Sequence, residues 1–268
     1  MTHDDVETHY SDATLYTRIM KAVDPLGTLT PLVLSPLDQF HIGGLAATVM
    51  LADMVGVRPG DQVLDVGSGL GGPSRLLATL GNARVTGVDL VASYCAVACA
   101  LGERCGLGDR VEYRVGNALD LPFDDASFDV VWSQHASMNI ANRARLYAEM
   151  RRVLRPGGRV ALYDVVTVDG RPPEFPVPWA RSPAHSHLVT TASMRALMEQ
   201  AGFDTGLWRD TTSVALAWVK SRPSPMEPPR LGLRLILGPD LQVMVNNLHQ
   251  ALEDGRLGTV MVVARAST

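Results

Sequence analysis

Apolar positions along the middle of this chain follow two rhythms in alternation. Short, nearly continuous apolar runs at Gln62–Val66, Ala83–Val88, Val111–Gly116, Phe128–Ser133 and Arg159–Val166 read as strands. Between them, Gly71–Leu80, Val91–Cys105 and Arg143–Leu154 read as helices, the last one clearly amphipathic. Gly106 and Gly108 break the second helix, and Pro156-Gly157-Gly158 stops the third. Phe128–Ser133 has few polar residues, which predicts a central strand. Alternation of this kind predicts an α/β fold, a doubly wound and mostly parallel sheet with helices on both faces.

The flanks break the rhythm. Residues 1–60 predict an irregular, partly helical cap or lid, with a loop from Pro25 to Pro36, where three prolines and a glycine fall close together, and a helix over 45–57. Residues 61–268 form the main domain. Within it, the proline-rich stretch 168–188 predicts a long structured loop, and loops of that length are often functional. Thr191–Ala201 reads as a helix, Asp204–Thr211 as a strand, residues 213–255 as an insertion with two helices, and Thr259–Ala264 as the last of seven strands. Pro239 near the start of the second inserted helix and Gly255 just past its end suit those positions.

Composition narrows the function. Of 268 residues, 46% are hydrophobic and 19% charged, and the net charge is −4. No basic stripe is visible, so a small molecule is favoured over nucleic acid. No apolar run approaches the ~20 residues needed to span a bilayer. The first ten residues, MTHDDVETHY, lack the features of a secretory signal, and the three cysteines, Cys95, Cys99 and Cys105, are an odd number in one segment. A cytoplasmic protein without membrane contact is expected, as monomer or homodimer.

The sharpest local signal is Val63-Leu64-Asp65-Val66-Gly67-Ser68-Gly69-Leu70-Gly71-Gly72, a glycine turn after a buried strand. Asp89 follows 22 positions after Gly67 at the end of the next strand, where an acid can accept from both hydroxyls of a ribose. Gly116-Asn117-Ala118-Leu119 follows the third strand. A carboxylate beside the loop, Asp65, repels a pyrophosphate but suits an ammonium group. This favours S-adenosylmethionine (AdoMet) over NAD, FAD or ATP, with S-adenosylhomocysteine as the product.

Residues 62–166 resemble the class I AdoMet-dependent methyltransferases, through the LDVGSG loop, the GVD acid and the VLRPGGR turn. Within that superfamily the chain is most similar to the sarcosine/dimethylglycine N-methyltransferase group and its bacterial relatives. That similarity is carried by Asp38-Gln39-Phe40-His41-Ile42-Gly43-Gly44, Trp132-Ser133-Gln134-His135-Ala136, and the stretch from Asn247 to Gly258. The resemblance implies a Rossmann-like seven-stranded sheet. It implies that Asp65, Gly67, Ser68 and Gly69 face the methionine part of AdoMet, and that Asp89 and Leu90 hold ribose and adenine. It further implies that Asn117, Ala118 and Leu119 contact adenine, with Ser133 beneath the sulfonium.

Ligands of open α/β sheets sit outside the carboxyl ends of the strands, so segments leaving those ends are the substrate candidates. His135 either accepts a proton from the nucleophile or is a hydrogen-bonded loop histidine. It stands where the resembled group tends to carry an acid. Gln134 either binds substrate or caps the next helix; His41 and Gln39 either close over the methyl group or brace the Gly43-Gly44 turn. Tyr10 and Tyr16 either contact the AdoMet carboxylate or pack. Met138, Trp179, Arg181 and Asn246 are further substrate candidates, Arg181 as a partner for a carboxylate. The apolar residues of the insertion, Trp218 among them, read as core. His185 and His187 lack a third ligand, so no metal is expected.

The expected function is AdoMet-dependent methylation of a small molecule, most simply at an amine. The alternatives are O- or C-methylation of a secondary metabolite, or a non-methylating AdoMet-fold protein or cyclase.

Overall fold

The computed structural model describes residues 14–221 and 231–267. Strands β1 (Gln62–Val66), β2 (Arg84–Asp89), β3 (Val111–Val115), β4 (Phe128–Gln134), β5 (Leu154–Thr167), β6 (Phe203–Asp210) and β7 (Leu257–Ala266) form one sheet in the order β3-β2-β1-β4-β5-β7-β6. β1 to β5 pair parallel, and β7 runs antiparallel between β5 and β6. The order reverses between β1 and β4, which opens a crevice at their carboxyl ends.

Helices α1 (Leu15–Val23), α2 (Pro31–Asp38), α3 (Gly44–Val55), α4 (Gly72–Leu80), α5 (Ala92–Arg104), α6 (Arg143–Val153), α7 (Thr191–Gln200), α8 (Thr212–Lys220), α9 (Arg234–Leu237) and α10 (Leu241–Glu253) surround the sheet. The period-two alternation of the strands sorts side chains into two cores. Leu64, Val66, Val131, Leu162 and Val262 pack with α6 and α7 on one face. Val63, Val85, Trp132, Tyr163 and Met261 pack with α3 and α4 on the other. Leu15, Ile19, Leu34 and Leu37 of α1 and α2 lie against Val97 and Leu101 of α5. No helix among the described residues is long and apolar enough to cross a membrane.

The expected loop from Pro25 to Pro36 is instead mostly helical. Pro31 opens α2, where its missing N–H costs nothing, and the Thr30 side chain accepts from Val33 N. Pro36 deprives the Leu32 carbonyl of its helical partner, and Ser35 Oγ donates to that carbonyl at 2.9 Å. The Pro156–Gly158 stretch also differs: β5 already starts at Leu154, and a register shift between Phe128 and Val130 absorbs the turn.

Candidate active site

A cavity of about 1210 Å³ opens where the sheet order reverses. Its floor is the glycine loop. Gly67 N and Ser68 N donate to Val88 O, Gly69 N to Asp89 Oδ2, and Gly71 N to Ser68 O. Gly67 has φ +76°, and a Cβ there would lie 2.3 Å from the Ala136 Cβ, so only glycine lets β4's exit loop approach. Gly69, at φ +53°, has nothing within 4 Å of where a Cβ would stand; its open side borders the cavity.

The loop amides decide which cofactor fits. Four of them are already taken, three by the end of β2 and one by Ser68 O, and Pro73 in the first turn of α4 has no N–H. A pyrophosphate is left with few of the donors it needs. Around the same loop stand the carboxylates of Asp38, Asp65 and Asp89, against the single guanidinium of Arg75. Burial pushes Asp38 up to about 6 and Asp65 to about 7, and raises Asp89 as well. Carboxylates so short of solvation are relieved by a cation. The sulfonium and ammonium of AdoMet fit this surround.

Asp89 is half-buried and lines the cavity; its Oδ1 accepts from Val91 N at 3.0 Å, beside its bond from Gly69. Ser68, Leu90, Asn117, Ala118 and Leu119 line the same end. Asn117 Oδ1 accepts from Leu119 N at 2.8 Å, which shapes the turn after β3. Asp65 lies elsewhere. It is 1% exposed, turned beneath the loop, with Oδ2 accepting from Ser74 Oγ at 2.6 Å. Its charge acts on the site from behind the loop, not by facing the methionine part. Ser133 is likewise internal, donating to Val66 O at 2.8 Å and tying β4 to β1. Tyr16 is nearly half exposed on α1 and is not among the cavity-lining residues, and Tyr10 lies outside the described residues.

The acceptor side is built from the cap, the exit of β4 and the late helices. His41, Gln134, His135, Met138, Trp179 and Asn246 all line it. His135 has the left-handed φ of +51°, unusual for a side-chain-bearing residue. Its ring sits 4.6 Å from the Tyr163 ring and 5.9 Å from the His41 ring, and its Nε2 is buried with no hydrogen-bond partner. Burial, reinforced by His41, pushes His135 well below the ordinary histidine range, so it is neutral at pH 7.

His41 is also neutral, pushed down to about 4 by burial. Its two ring nitrogens both face oxygen atoms of the cap. Nδ1 lies 3.3 Å from Ile42 O; Nε2 lies 3.1 Å from Gln39 Oε1 and 3.0 Å from Thr48 Oγ1. With both nitrogens directed at cap oxygens, His41 braces the cap. Gln39 is buried in that same knot and does not reach the cavity. Gln134 Oε1 accepts from Trp132 Nε1 at 3.1 Å, and its Nε2 is buried without a partner.

Arg181 does not enter the site. It pairs with Asp240 at 2.7 Å, both about half exposed, because the proline-rich loop turns that side chain outward. The loop is instead anchored through Trp179, whose carbonyl accepts from Asn139 Nδ2, and through Pro176 O, which accepts from Asn247 Nδ2 at 2.9 Å. Beneath the β4 exit, Arg143 donates to Ser137 Oγ, and Ser137 Oγ donates to Asp164 Oδ2. This buried trio fixes the turn that carries Met138.

Sequence reasoning missed Thr48, which is fully buried at the centre of the cap knot; Trp218, read as core, packs against a core cluster and also lines the cavity. Neither carried a motif. The helical spacing of Ala47, Thr48, Leu51 and Ala52 was the only signal that Thr48 faces inward. Among the described residues, no three or more His, Cys, Asp or Glu gather as a metal site.

Comparison with known proteins agrees with this geometry. Residues 64–162 match the family described as methyltransferase domain. Over 121 residues the chain is 38% identical to 27-O-demethylrifamycin SV methyltransferase of Amycolatopsis mediterranei, covering 45% of this chain and 44% of that protein. In fold it matches geranyl diphosphate methyltransferase, solved with GPP and sinefungin, with a TM-score of 0.75 at 21% identity over 98% of both chains. It also matches a protein from Galdieria sulphuraria assigned as a sarcosine dimethylglycine methyltransferase, with a TM-score of 0.66 at 21% identity over 83% and 86% of the two chains. The fold is that of the class I methyltransferases. The match spans less than half the length of the first curated relatives. Those relatives and neighbours methylate different kinds of acceptor, so likeness alone does not set the acceptor atom.

Proposed function

We propose that this chain, which carries an AdoMet-dependent methyltransferase domain, transfers the methyl group of AdoMet to an oxygen atom of a small-molecule acceptor. The observation that carries the choice of oxygen is His135, a neutral imidazole on a left-handed backbone at the end of β4, lining the cavity with no hydrogen-bond partner. Beside it the Gln134 Nε2 is a donor without an acceptor. A hydroxyl answers both. It has two lone pairs and one hydrogen, so one lone pair accepts from Gln134, the other attacks, and the hydrogen faces His135.

AdoMet supplies an electrophilic methyl whose bonding electrons return to sulfur, giving S-adenosylhomocysteine. As the acceptor oxygen shares its lone pair, its O–H becomes strongly acidic. Even a weakly basic imidazole then takes the proton, so the lowered basicity of His135 is no obstacle. Gln134 holds the oxygen in line, and the cap excludes water.

A nitrogen acceptor, which the sequence resemblance suggests, is served less well. An amine has a single lone pair, which the methyl takes, leaving Gln134 without an acceptor. Among the described residues, the acidic ones lining the cavity are Asp38, whose carboxylate is buried against Arg75, and Asp89 at the glycine loop. An amine that arrives as an ammonium finds no counterion on the acceptor side.

The test uses AdoMet with a deuterated methyl group and a panel of hydroxylated, amine and carbon acceptors, with tandem mass spectrometry to place the label. Label on oxygen is expected. Asn tolerates the left-handed backbone of residue 135, so His135→Asn should fold, bind S-adenosylhomocysteine as the wild type does, and lose roughly 10²–10⁴-fold in turnover. Label on nitrogen or carbon, or full turnover in that variant, overturns the reading.

A further inference from the structure

The cavity exceeds the ~300–1,000 Å³ of most single-ligand sites. The glycine loop, Asp89 and the turn after β3 occupy one end, and the remaining space has walls of a different kind. Trp218 and Val219 of α8, Val245 and Leu248 of α10, Ile42 of the cap and Trp179 of the proline-rich loop face it and pack as one cluster. The Trp179 indole Nε1 donates to Ser186 Oγ at 3.0 Å, so its polar edge is already satisfied within its own loop. The lobe is thus walled mainly by two indoles and aliphatic side chains, with Gln242, Asn246 and His249 as polar groups on α10.

Charge at this end is sparse. Among the described residues, no acidic side chain lines the lobe. Of the cations at its rim, Lys220 is held by Glu253 at 2.6 Å and Arg234 is exposed on α9. Gln242 Nε2 donates to Asn246 Oδ1 at 3.0 Å, leaving a small uncharged polar spot on α10. A small cation or zwitterion brought here loses water and meets neither a counterion nor a dense set of hydrogen-bond groups. An apolar body loses little and gains the whole wall.

We infer that the far lobe takes a bulky, uncharged and largely apolar acceptor, a fused-ring or macrocyclic body that carries its reacting hydroxyl toward Gln134 and His135. The inference rests on the O-methyl-transfer reading for the position of the hydroxyl, and on the lobe alone for the class of body.

The test uses the full chain saturated with S-adenosylhomocysteine and two probes, progesterone as an uncharged fused-ring body and choline as a small cation. Binding is followed by tryptophan emission, to which Trp179 and Trp218 contribute, and by calorimetry. Progesterone should bind saturably and choline should not. Val245→Asp places a carboxylate in the lobe and should weaken progesterone at least tenfold, with S-adenosylhomocysteine affinity held within twofold. Val245→Phe fills the same space without charge, should act in the same direction, and serves if the first variant does not fold. Choline binding in preference to progesterone, or progesterone affinity unchanged in a folded Val245 variant, overturns the inference. Each titration is repeated without S-adenosylhomocysteine. Loss of cofactor binding in the wild type would defeat the methyl-transfer reading, while the progesterone result would still decide this one.

Discussion

Ser74 donates a 2.6 Å hydrogen bond to Asp65 in a place sealed from solvent, and the bond does not rescue the carboxylate from its burial. Burial pushes Asp65 up to about 7 against the pull of Ser74, and the Asp89 charge adds to the rise. In an unfolded chain an aspartate titrates near 3.9. The folded protein therefore holds this proton more tightly than the unfolded chain. The contribution of Asp65 to stability is complete below about pH 4, drains away as pH rises to about 7, and stays lost above it. Asp65→Asn never ionises and keeps an oxygen for Ser74. Its lead in stability over the wild type should widen between about pH 4 and pH 7 and then hold level. The distance between the two pKa values caps that lead at about 4 kcal/mol. Urea denaturation at several pH values measures it, and a lead that does not grow with pH sinks the account.

The Asp38–Arg75 pair binds the cap to the glycine-loop helix by a different logic. Neither side chain touches solvent, the ion pair spans 2.6 Å, and Arg75 also donates to Leu70 O at 2.7 Å. Removing one partner strands the other as a buried charge. Arg75→Met alone should cost about 3–5 kcal/mol, whereas Asp38→Leu with Arg75→Met should recover most of that loss. Denaturant midpoints of the two variants decide the matter. A double variant no better than the single one would show that the pair contributes through more than its charges.

The strands were legible because a strand in the middle of an α/β sheet has apolar neighbours on both faces, and its sequence says so without knowledge of partners. The order of Gly67, Gly69 and Asp89 was legible for a similar reason, since a turn and the next strand end lie within one βαβ unit. What stayed hidden depends on distant residues. The proline count around α2 suggested a loop, and only the bond from Ser35 to Leu32 shows how a helix tolerates Pro36. Arg181 looked available until Asp240, 59 positions on, claimed it. Asp65 faces away from the crevice because Ser74, a turn into α4, offers its hydroxyl there. Nothing near Asp65 in the strand records that choice.

Thr48 presents the last case, since its three partners come from residues 39, 41 and 134. Its Oγ1 lies 2.6 Å from Gln39 Oε1, 3.0 Å from His41 Nε2 and 3.1 Å from Gln134 Oε1. One hydroxyl has one hydrogen to give, and a three-centre bond shares it between the Gln39 and Gln134 oxygens, Gln39 being the nearer. Trp132 Nε1, which can only donate, fixes the Gln134 oxygen from the other side. Thr48 therefore holds the cap against the end of β4 while Gln134 keeps its amide hydrogens free. Thr48→Val keeps the shape and removes the hydroxyl. It should cost about 1–3 kcal/mol by stranding buried polar atoms and shift the ring ¹⁵N signals of His41. It should also slow methyl transfer roughly tenfold, about 1.4 kcal/mol, without changing affinity for S-adenosylhomocysteine. Thr48→Ser restores the hydroxyl and should return all of these toward the wild type. If the serine variant behaves like valine, packing of the Thr48 methyl and not its hydroxyl joins the two halves of the site.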